Sequence, residues 1–500
     1  MVEIQFADSK SGTRTCIANG IRLHSAYDPV KEAERFVGTL AFDFNPSMVI
    51  VTEPALSYCS QFLRKRFPKA LLVAIRFTKH FDQYNYLWDK TFHCSQIHQI
   101  LSIYGEDMVL SAGFISWQPS QQVFPDAHNQ CWEMIKNLVQ TSRDILGTRA
   151  YFGRRWFKNT LSFCYRIRNS HTIKKGTCTI VLVASGPSLE SSLDVIGKNR
   201  GRFFLITLSS GLSPLLAAGI MPDLCISTDG GYWAKKHIMR CPTVLAVPAE
   251  AALPGQCFEG AILPLKYGDG PEGELLDACG IPSHVAARNG TVSGTALELA
   301  LSITSGPVFA CGLDLCQHVG FQHCQPNQLE VSNLQLDRRL APKETRLYPQ
   351  QMPSKSLEIY AQWFQNQSQR FCQRFYRLAT EDYHFSNRLG HIQDIDWKEF
   401  DTITSQWEKD LGRPPISPEI CREKIPDAAS RYKMLKKTLL KYKEQGLPDT
   451  WLAAILPAEL ALRNRSTDKG EIQGKIREKS SAFLEDMILY LDRMGEQDAL

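Results

Sequence analysis

The chain has 500 residues, 43% of them hydrophobic and 22% charged, which predicts a globular protein of two or three domains. A formal net charge of +5 over this length is too weak to indicate nucleic acid as a partner. No signal-peptide core and no apolar run of about eighteen residues occur, so we expect no membrane association and a cytoplasmic location. The 15 scattered cysteines lack a Cys-x-x-Cys pair, which is typical of reduced thiols.

The first segment, 1–172, is predicted to be a Rossmann-like α/β domain. Its apolar runs have strand length and enclose a stretch with apolar side chains at helical spacing. Strands are predicted at 47–52, 70–75 and 108–112, and helices at 55–67 and near 131–146. No glycine-rich phosphate loop accompanies these elements, so no ligand is indicated for this domain.

The second segment, 173–345, alternates apolar runs with helical patterns, which predicts a mostly parallel, doubly wound sheet. Its strands are predicted at 179–184, 203–208, 224–228, 243–247 and 307–310. Pro187 stands where the first helical residue is expected, a position that suits proline. Ser293 is predicted to cap a later helix.

The third segment, 346–500, lies beyond a polar, glutamine-rich stretch and is predicted to be mainly helical. One stripe of aromatic residues at helical spacing consists of Tyr360, Phe364, Phe371 and Phe375. The expected fold class is therefore α/β. A central Rossmann-like, mostly parallel sheet domain is preceded by a smaller Rossmann-like domain and followed by a mainly helical one.

A short turn after the first central strand is the first candidate for chemistry. Glycine before a helix lets a phosphate approach the backbone, and the flanking serines add hydroxyl donors. The residues are Ser185, Gly186, Pro187 and Ser188. A tight strand-to-helix turn with a serine cap explains the same pattern, and the turn alone does not decide between the two.

Acidic residues follow two other predicted strands, Asp229 in Ser-Thr-Asp-Gly-Gly and Asp314 in Gly-Leu-Asp. Parallel topology would bring all three strand ends to one edge, where ribose or a divalent cation is often held. Each aspartate is equally compatible with an ordinary turn residue. His318 and His323 follow in the next loop, where a histidine can act as general base.

A cluster of cysteines and histidines has residue types that suit zinc, but its spacing matches no standard finger. It consists of Cys311, Cys316, His318, His323 and Cys324. We therefore expect no metal site there.

Together these residues resemble the motility-associated factor family, cytoplasmic glycosyltransferases that modify flagellin and contain a domain similar to the pterin pyrophosphokinase MptE. The segment from His24 to Phe36 resembles the N-terminal signature of that family. The matching residues then follow in family order: Gly186–Leu189, Gly219–Asp223, Asp229, Ser293–Thr295, Gly312–Asp314 and a histidine in the following loop. The central segment is also similar to bacterial sialyltransferases that use CMP-sialic acid.

The resemblance implies transfer of a nonulosonic acid, of pseudaminic or legionaminic type, from its CMP ester to Ser or Thr of flagellin. The resemblance also implies that no cofactor is required, with Mg²⁺ as an optional ion. The implied nucleotide contacts are Ser185, Gly186, Ser209, Asp229, Ser293 and Gly294, and we add Pro187, Ser188, Thr295 and Asp314 to the expected binding site.

The expected catalytic residues are His323, as base for the acceptor hydroxyl, and Asp229. Arg288 is expected to bind the carboxylate of the sugar. Helix N-termini at Ser188 and Ser293 would stabilise the leaving phosphate without a metal.

Two alternative functions stay open. A pyrophosphokinase-like enzyme would use ATP and Mg²⁺ on a pterin, with Asp229 and Asp314 as metal ligands, although the chain has no P-loop lysine motif. A non-catalytic flagellin-binding or assembly protein would keep the fold without the chemistry. Ala184, Ser209 and Cys324 favour that reading because they depart from the patterns of the related enzymes.

Overall fold

The computed structural model describes residues 3–268, 270–315, 322–342, 355–379, 389–466 and 469–497. By their contacts they divide into two compact units, Met1–Gly153 with Gly446–Phe483, and Arg154–Gln445 with Leu484–Leu500. The division into three segments at 172 and 345 remains a prediction. Within the described residues, no helix is both long and apolar enough to cross a membrane.

The strands of the described residues are β1 (Ile4–Asp8), β2 (Arg14–Ala18), β3 (Ile21–Arg22), β4 (Met48–Thr52), β5 (Leu71–Arg76), β6 (Lys90–His93), β7 (Ala112–Ser116), β8 (Asn169–Lys174), β9 (Ile180–Val183), β10 (Phe204–Leu208), β11 (Leu224–Ile226), β12 (Val244–Pro248), β13 (Ala261–Lys266), β14 (His284–Val285), β15 (Val308–Cys311), β16 (Phe375–Leu378), β17 (Gln393–Ile395) and β18 (Glu419–Glu423).

Their helices are α1 (Pro29–Thr39), α2 (Cys59–Arg66), α3 (His98–Leu110), α4 (Gln118–Val123), α5 (Pro125–Arg166), α6 (Leu189–Lys198), α7 (Leu212–Ala217), α8 (Tyr232–Ile238), α9 (Pro271–Ala278), α10 (Val292–Ile303), α11 (Gln328–Gln335), α12 (Lys355–Gln365), α13 (Gln369–Cys372), α14 (Trp397–Leu411), α15 (Ala428–Gln445), α16 (Asp449–Ile455), α17 (Pro457–Arg465) and α18 (Lys469–Gln497). Short 3-10 turns include Ser209–Gly211.

The first unit contains an antiparallel sheet of β1, β2 and β3 and a parallel sheet in the order β6-β5-β4-β7. All five residues of β4 are buried, as the apolar run at 47–52 predicts. The strand predicted at 108–112 is wrong, because α3 continues to Leu110 and β7 begins at Ala112. A short apolar run fits a buried helix end as well as a strand, and Ser111 keeps helical hydrogen bonds to the Asp107 carbonyl.

The helix predicted at 55–67 begins only at Cys59, because the preceding loop has an unusual backbone. Glu53, Ala55 and Ser57 have φ values of 39°, 45° and 64°, in the left-handed region. A buried ion pair fixes this loop. Arg76 donates to the Glu53 carboxylate at 3.2 Å, to the Ala55 carbonyl at 3.0 Å and to the Ser57 hydroxyl at 2.9 Å.

The second unit is built on a large sheet in the order β17-β16-β15-β9-β10-β11-β12-β13-β8-β18, with β14 paired to β13. Every pairing is parallel except that of β18 with β8. Buried apolar side chains cover both faces, with Ile180 and Leu182 in one core and Val181 and Val183 in the other. The predicted α/β class with a mostly parallel central sheet is confirmed.

The segment after residue 346 is mainly helical, as predicted, but it also supplies β16, β17 and β18 to the central sheet. The predicted aromatic stripe is therefore not one helix face, because Tyr360 and Phe364 lie on α12, which ends at Gln365, and Phe371 lies on the separate α13. Phe375 lies in β16 and is buried in the core between sheet and helices, next to Phe364. The helix predicted near 131–146 is much longer and forms α5, whose first part belongs to the first unit and whose end belongs to the second.

Four histidines predict an acid sensitivity of the fold. Burial lowers the pKa of His24 and His128 in the first unit and of His237 and His284 in the second. Below about pH 6.5 the unfolded chain gains protons that these buried rings do not, so the free energy of unfolding decreases.

We expect the Tm, followed by calorimetry from about pH 7.5 to 5.5, to fall with acid, and His24→Gln to reduce this dependence. Equal dependence in the variant would contradict the assignment to His24.

Candidate functional site

The carboxyl ends of β9, β10, β11 and β15 lie at one edge of the central sheet. These strands are parallel neighbours, with Val183 opposite both Thr207 and Cys311, and Leu208 opposite Ile226. The helices α6, which follows β9, and α10, which precedes β15, therefore both begin at this edge. Helix N-termini at the carboxyl edge of a parallel sheet are the usual place for phosphate-bearing ligands.

The turn after β9 is fixed by the loop after β15. Gly186 donates its backbone N–H to the Gly312 carbonyl at 2.8 Å. A Cβ on Gly186 would lie 2.5 Å from both Cγ and Oδ2 of Asp314. Glycine is therefore required here by the close approach of a side chain of the same chain.

Asp314 is almost fully buried and closes the turn. Its Oδ2 accepts the backbone N–H of Ser188 at 2.9 Å, and its Oδ1 accepts the Ser188 hydroxyl. Two expectations are corrected here. The helix begins at Leu189 rather than at Pro187, and the Ser188 hydroxyl binds Asp314 instead of capping α6.

The hypothesis that Asp229 and Asp314 together hold Mg²⁺ does not fit these contacts. Both Asp314 oxygens are engaged by Ser188, and Oδ1 of Asp229 accepts the Gly231 N–H at 2.8 Å in a local turn. Asp229 itself is exposed. Because Asp314 binds the Ser188 N–H, the N-terminus of α6 also has a carboxylate partner already.

His323 is held between the turn after β9 and the Glu330 side chain on α11. The next residue, Cys324, donates its N–H to the Ser185 carbonyl at 2.8 Å. The imidazole Nδ1 lies 3.2 Å from Oε1 of Glu330, a carboxylate that is 1% exposed. His323 therefore lies beside the turn, as its place in the loop after β15 predicts. Its carboxylate partner Glu330 is not indicated by the sequence pattern.

Ser209 and its neighbour Ser210 occupy the 3-10 turn after β10. Ser209 is buried. Ser210, which the sequence analysis did not single out, donates its hydroxyl to Ser185 Oγ at 2.8 Å, and its carbonyl accepts from the Asn327 side chain at 3.2 Å. These bonds connect the strand ends of β9 and β10 to the start of α11.

Asp229 and Arg288 belong to a second group of contacts at the same edge. Gly230 packs on the indole ring of Trp156. A Cβ on Gly230 would lie 2.5 Å from Cδ1 of that ring. The Asp229 carbonyl accepts the N–H of Ala252 at 3.0 Å. Trp156, remote in sequence, thereby shapes the Asp229 turn.

Arg288 is already paired. Its guanidinium makes a two-pronged ion pair with the buried Glu250, with Nη2 3.0 Å from Oε2, and it lies 4.4 Å from the Tyr267 ring centre. A substrate carboxylate would have to compete with Glu250 for this cation, which the sequence pattern did not indicate.

The start of α10, like the starts of α7 and α8, has no side-chain cap among the described residues. The helix begins at Val292 with Thr291 at the N-cap position, so the prediction of Ser293 as the cap is wrong, and no side chain of the described residues caps this end. Ser293 instead lies 2.8 Å from the Thr291 hydroxyl, oxygen to oxygen. Gly294 packs against Trp363, and Thr295 donates to the Ala287 carbonyl at 3.1 Å.

His237 on α8 is a further residue that the sequence analysis missed. Burial lowers its pKa, the charge of His323 lowers it further, and Asp229 raises it. His323 in the first group of contacts and Asp229 in the second therefore both shift the pKa of the His237 ring. The sequence around His237, which lies on a short helix, does not indicate these electrostatic interactions.

The cysteine and histidine cluster lies partly outside the described residues, which exclude Cys316 and His318. Within the described part of the chain, no group of three or more His, Cys, Asp or Glu side chains is arranged to hold a metal ion. Burial raises the pKa of both Cys311 and Cys324 to about 12, so neither thiol is ionised near neutral pH.

The contact between Gly186 and Asp314 predicts the effect of one added methyl group. Gly186→Ala should lower the free energy of unfolding by about 1–3 kcal/mol, because the Asp314 side chain and the Gly312 carbonyl must move. Gly201→Ala is the matched control, since a Cβ there meets no atom within 4 Å. Equal denaturation curves for the two variants would contradict the described packing.

Comparisons with known proteins bear on the central part of the chain. Residues 155–253 match the family model described as 6-hydroxymethylpterin diphosphokinase MptE-like. An uncharacterized protein of Treponema pallidum (strain Nichols) is 31% identical over 301 residues, which are 59% of this chain and 65% of that protein, just under two thirds of its length. The solved MAf glycosyltransferase from Magnetospirillum magneticum AMB-1 is 11% identical, with a TM-score of 0.48 and coverage of 99% of this chain and 92% of that one. The MptE-like character predicted for 173–345 is thus confirmed for residues 173–253, which include the turn after β9 and Asp229, and the match also covers 155–172, before the predicted boundary.

Proposed function

We propose that this protein is a cytoplasmic glycosyltransferase of the motility-associated factor type. It would transfer a nonulosonic acid, pseudaminic or legionaminic in type, from its CMP ester to Ser or Thr hydroxyls of flagellin. The observation that carries the proposal is the His323 imidazole, paired with Glu330 and tied through Cys324 to the turn after β9. A general base at the phosphate-binding edge of a parallel sheet is what such a transfer needs.

The phosphate of the donor is assigned to the start of α10. The first backbone N–H groups of a helix have no partner within the helix, and no described side chain caps this end. The N-terminus of α6 is a poorer choice because Asp314 already binds Ser188 there. Stabilisation by backbone N–H groups requires no metal ion.

The reaction itself is a single substitution at the anomeric carbon. The acceptor hydroxyl oxygen forms a bond to that carbon while the carbon–oxygen bond to the phosphate breaks, and CMP leaves with the electron pair. The hydroxyl proton passes to Nε2 of His323. Arg288 would bind the sugar carboxylate only by sharing or exchanging its partner Glu250.

A pterin diphosphokinase is the second candidate, since the matched family model carries that description. The two candidates differ in the nucleotide they bind. Under our proposal CMP raises the Tm and ATP with Mg²⁺ does not, because only a ligand of the folded state stabilises it. The opposite ranking would favour the kinase.

The direct test is the intact mass of flagellin from cells that make the CMP-sugar, with and without this protein. We expect an increase that equals one or more nonulosonic acid residues. His323→Ala should keep the CMP-induced Tm shift and lose the mass increase, whereas His171→Ala, a histidine on β8, should keep both. Unmodified flagellin with the wild-type protein, despite bound CMP, would favour the non-catalytic flagellin-binding function.

A further inference from the structure

The Glu330 carboxylate has an unusual concentration of donors for a buried group. Its Oε1 accepts the backbone N–H of Gln322 at 2.8 Å and that of His323 at 3.1 Å, and it lies 3.2 Å from Nδ1 of the His323 ring. Burying a carboxylate is costly unless hydrogen bonds of this kind compensate it. The carboxylate therefore organises the loop and the ring together.

The helix that carries Glu330 is connected by hydrogen bonds to the turn after β9. It lies on α11, whose first turn is capped by Asn327 through the N–H of Leu329 at 3.0 Å. The Asn327 side chain also donates to the Ser210 carbonyl, and Ser210 donates to Ser185. These hydrogen bonds thus connect the turn after β9 to the first turn of α11, which carries Glu330.

This geometry determines which ring nitrogen of His323 carries the proton. A carboxylate oxygen only accepts, so Nδ1 must donate to it, and the lone pair of the neutral ring is left on Nε2. The His323 side chain is 25% exposed and that of Glu330 is 1% exposed. The ring is thus partly accessible while its carboxylate partner is sealed from solvent.

We propose that Glu330 is a positioning residue that holds His323 in the Nδ1–H tautomer, with Nε2 as the base. When Nε2 takes the proton of the acceptor hydroxyl, the ring becomes a cation, and the adjacent carboxylate stabilises that charge. The inference rests on the proposed function for its catalytic consequence. The tautomer itself is independent of that function.

The kinetic test compares two Glu-to-Gln substitutions. Glu330→Gln keeps the shape and removes the charge, so we expect kcat for CMP release from CMP-nonulosonic acid with flagellin to fall by roughly 10- to 100-fold. KM for the CMP-sugar should change by less than about twofold, because the Glu330 side chain is 1% exposed and would act on the donor only through His323. Glu330→Asp should restore part of kcat.

The matched control is Glu32→Gln in the first unit. Glu32 also accepts a backbone N–H, from Ser25 at 2.8 Å, and lies 3.5 Å from Nδ1 of another histidine, His24. We expect unchanged kcat in this variant, whatever its effect on the Tm. An unchanged kcat in Glu330→Gln, or an equal loss in the control, would overturn the positioning role.

A second readout separates this inference from the proposed function. In protein labelled with ¹⁵N-histidine, the His323 signals, assigned by their loss in His323→Gln, should report a protonated Nδ1 and an unprotonated Nε2. Glu330→Gln should weaken this preference, and Glu32→Gln should leave it unchanged.

A protonated Nε2 in the neutral wild-type ring would overturn the inference even if transfer occurs. The expected tautomer without any transfer would overturn the proposed function and the catalytic role, while the orientation of His323 by Glu330 would stand.

Discussion

The hydrogen bonds between the turn after β9 and the loop after β15 constrain the rest of the candidate site. Asp314 binds Ser188 through both carboxylate oxygens, and Gly186 lies against it because no Cβ stands between them. Since β9 and β15 are adjacent parallel strands, this closure joins the two loops where the chain order of the sheet reverses. Loops that bind ligands at such a position need a rigid base, and the buried carboxylate provides it.

The hydrogen bonds of this closure make the start of α6 different from the start of α10. Asp314 occupies the start of α6, whereas no described side chain caps α10. Farther along the same edge, Glu250 occupies Arg288 in a comparable way. Two charged groups of this edge, the Asp314 carboxylate and the Arg288 guanidinium, are thus paired within the protein.

Much of the fold could be predicted from the sequence, because buried parallel strands are continuous apolar runs. The runs at 179–184, 203–208 and 307–310 differ from β9, β10 and β15 by about one residue at each end. The strands β16, β17 and β18 were missed because they are short and mix polar with apolar residues inside a mainly helical segment. Tertiary pairing with the central sheet, and not local preference, makes them strands.

The placement of the candidate residues at one edge of the sheet was predictable, but their contacts were not. The strand ends carrying Gly, Ser and Asp lie at one edge of the sheet, as parallel topology predicts, and His323 lies beside the turn. The partners Glu330, Glu250 and Trp156 could not be predicted, because each is brought to the site by packing of distant segments. Asp314 has the sequence context of an exposed ligand and the environment of a buried structural residue, a difference that only burial reveals.

Hydrogen–deuterium exchange of the full chain, with and without CMP, measures whether this edge of the sheet binds the nucleotide of a CMP-sugar. We expect slower exchange in a peptide covering residues 291–297 at the start of α10, and no such change with ATP and Mg²⁺. Unchanged exchange in that peptide at saturating CMP, or slowing there by ATP alone, would contradict this binding.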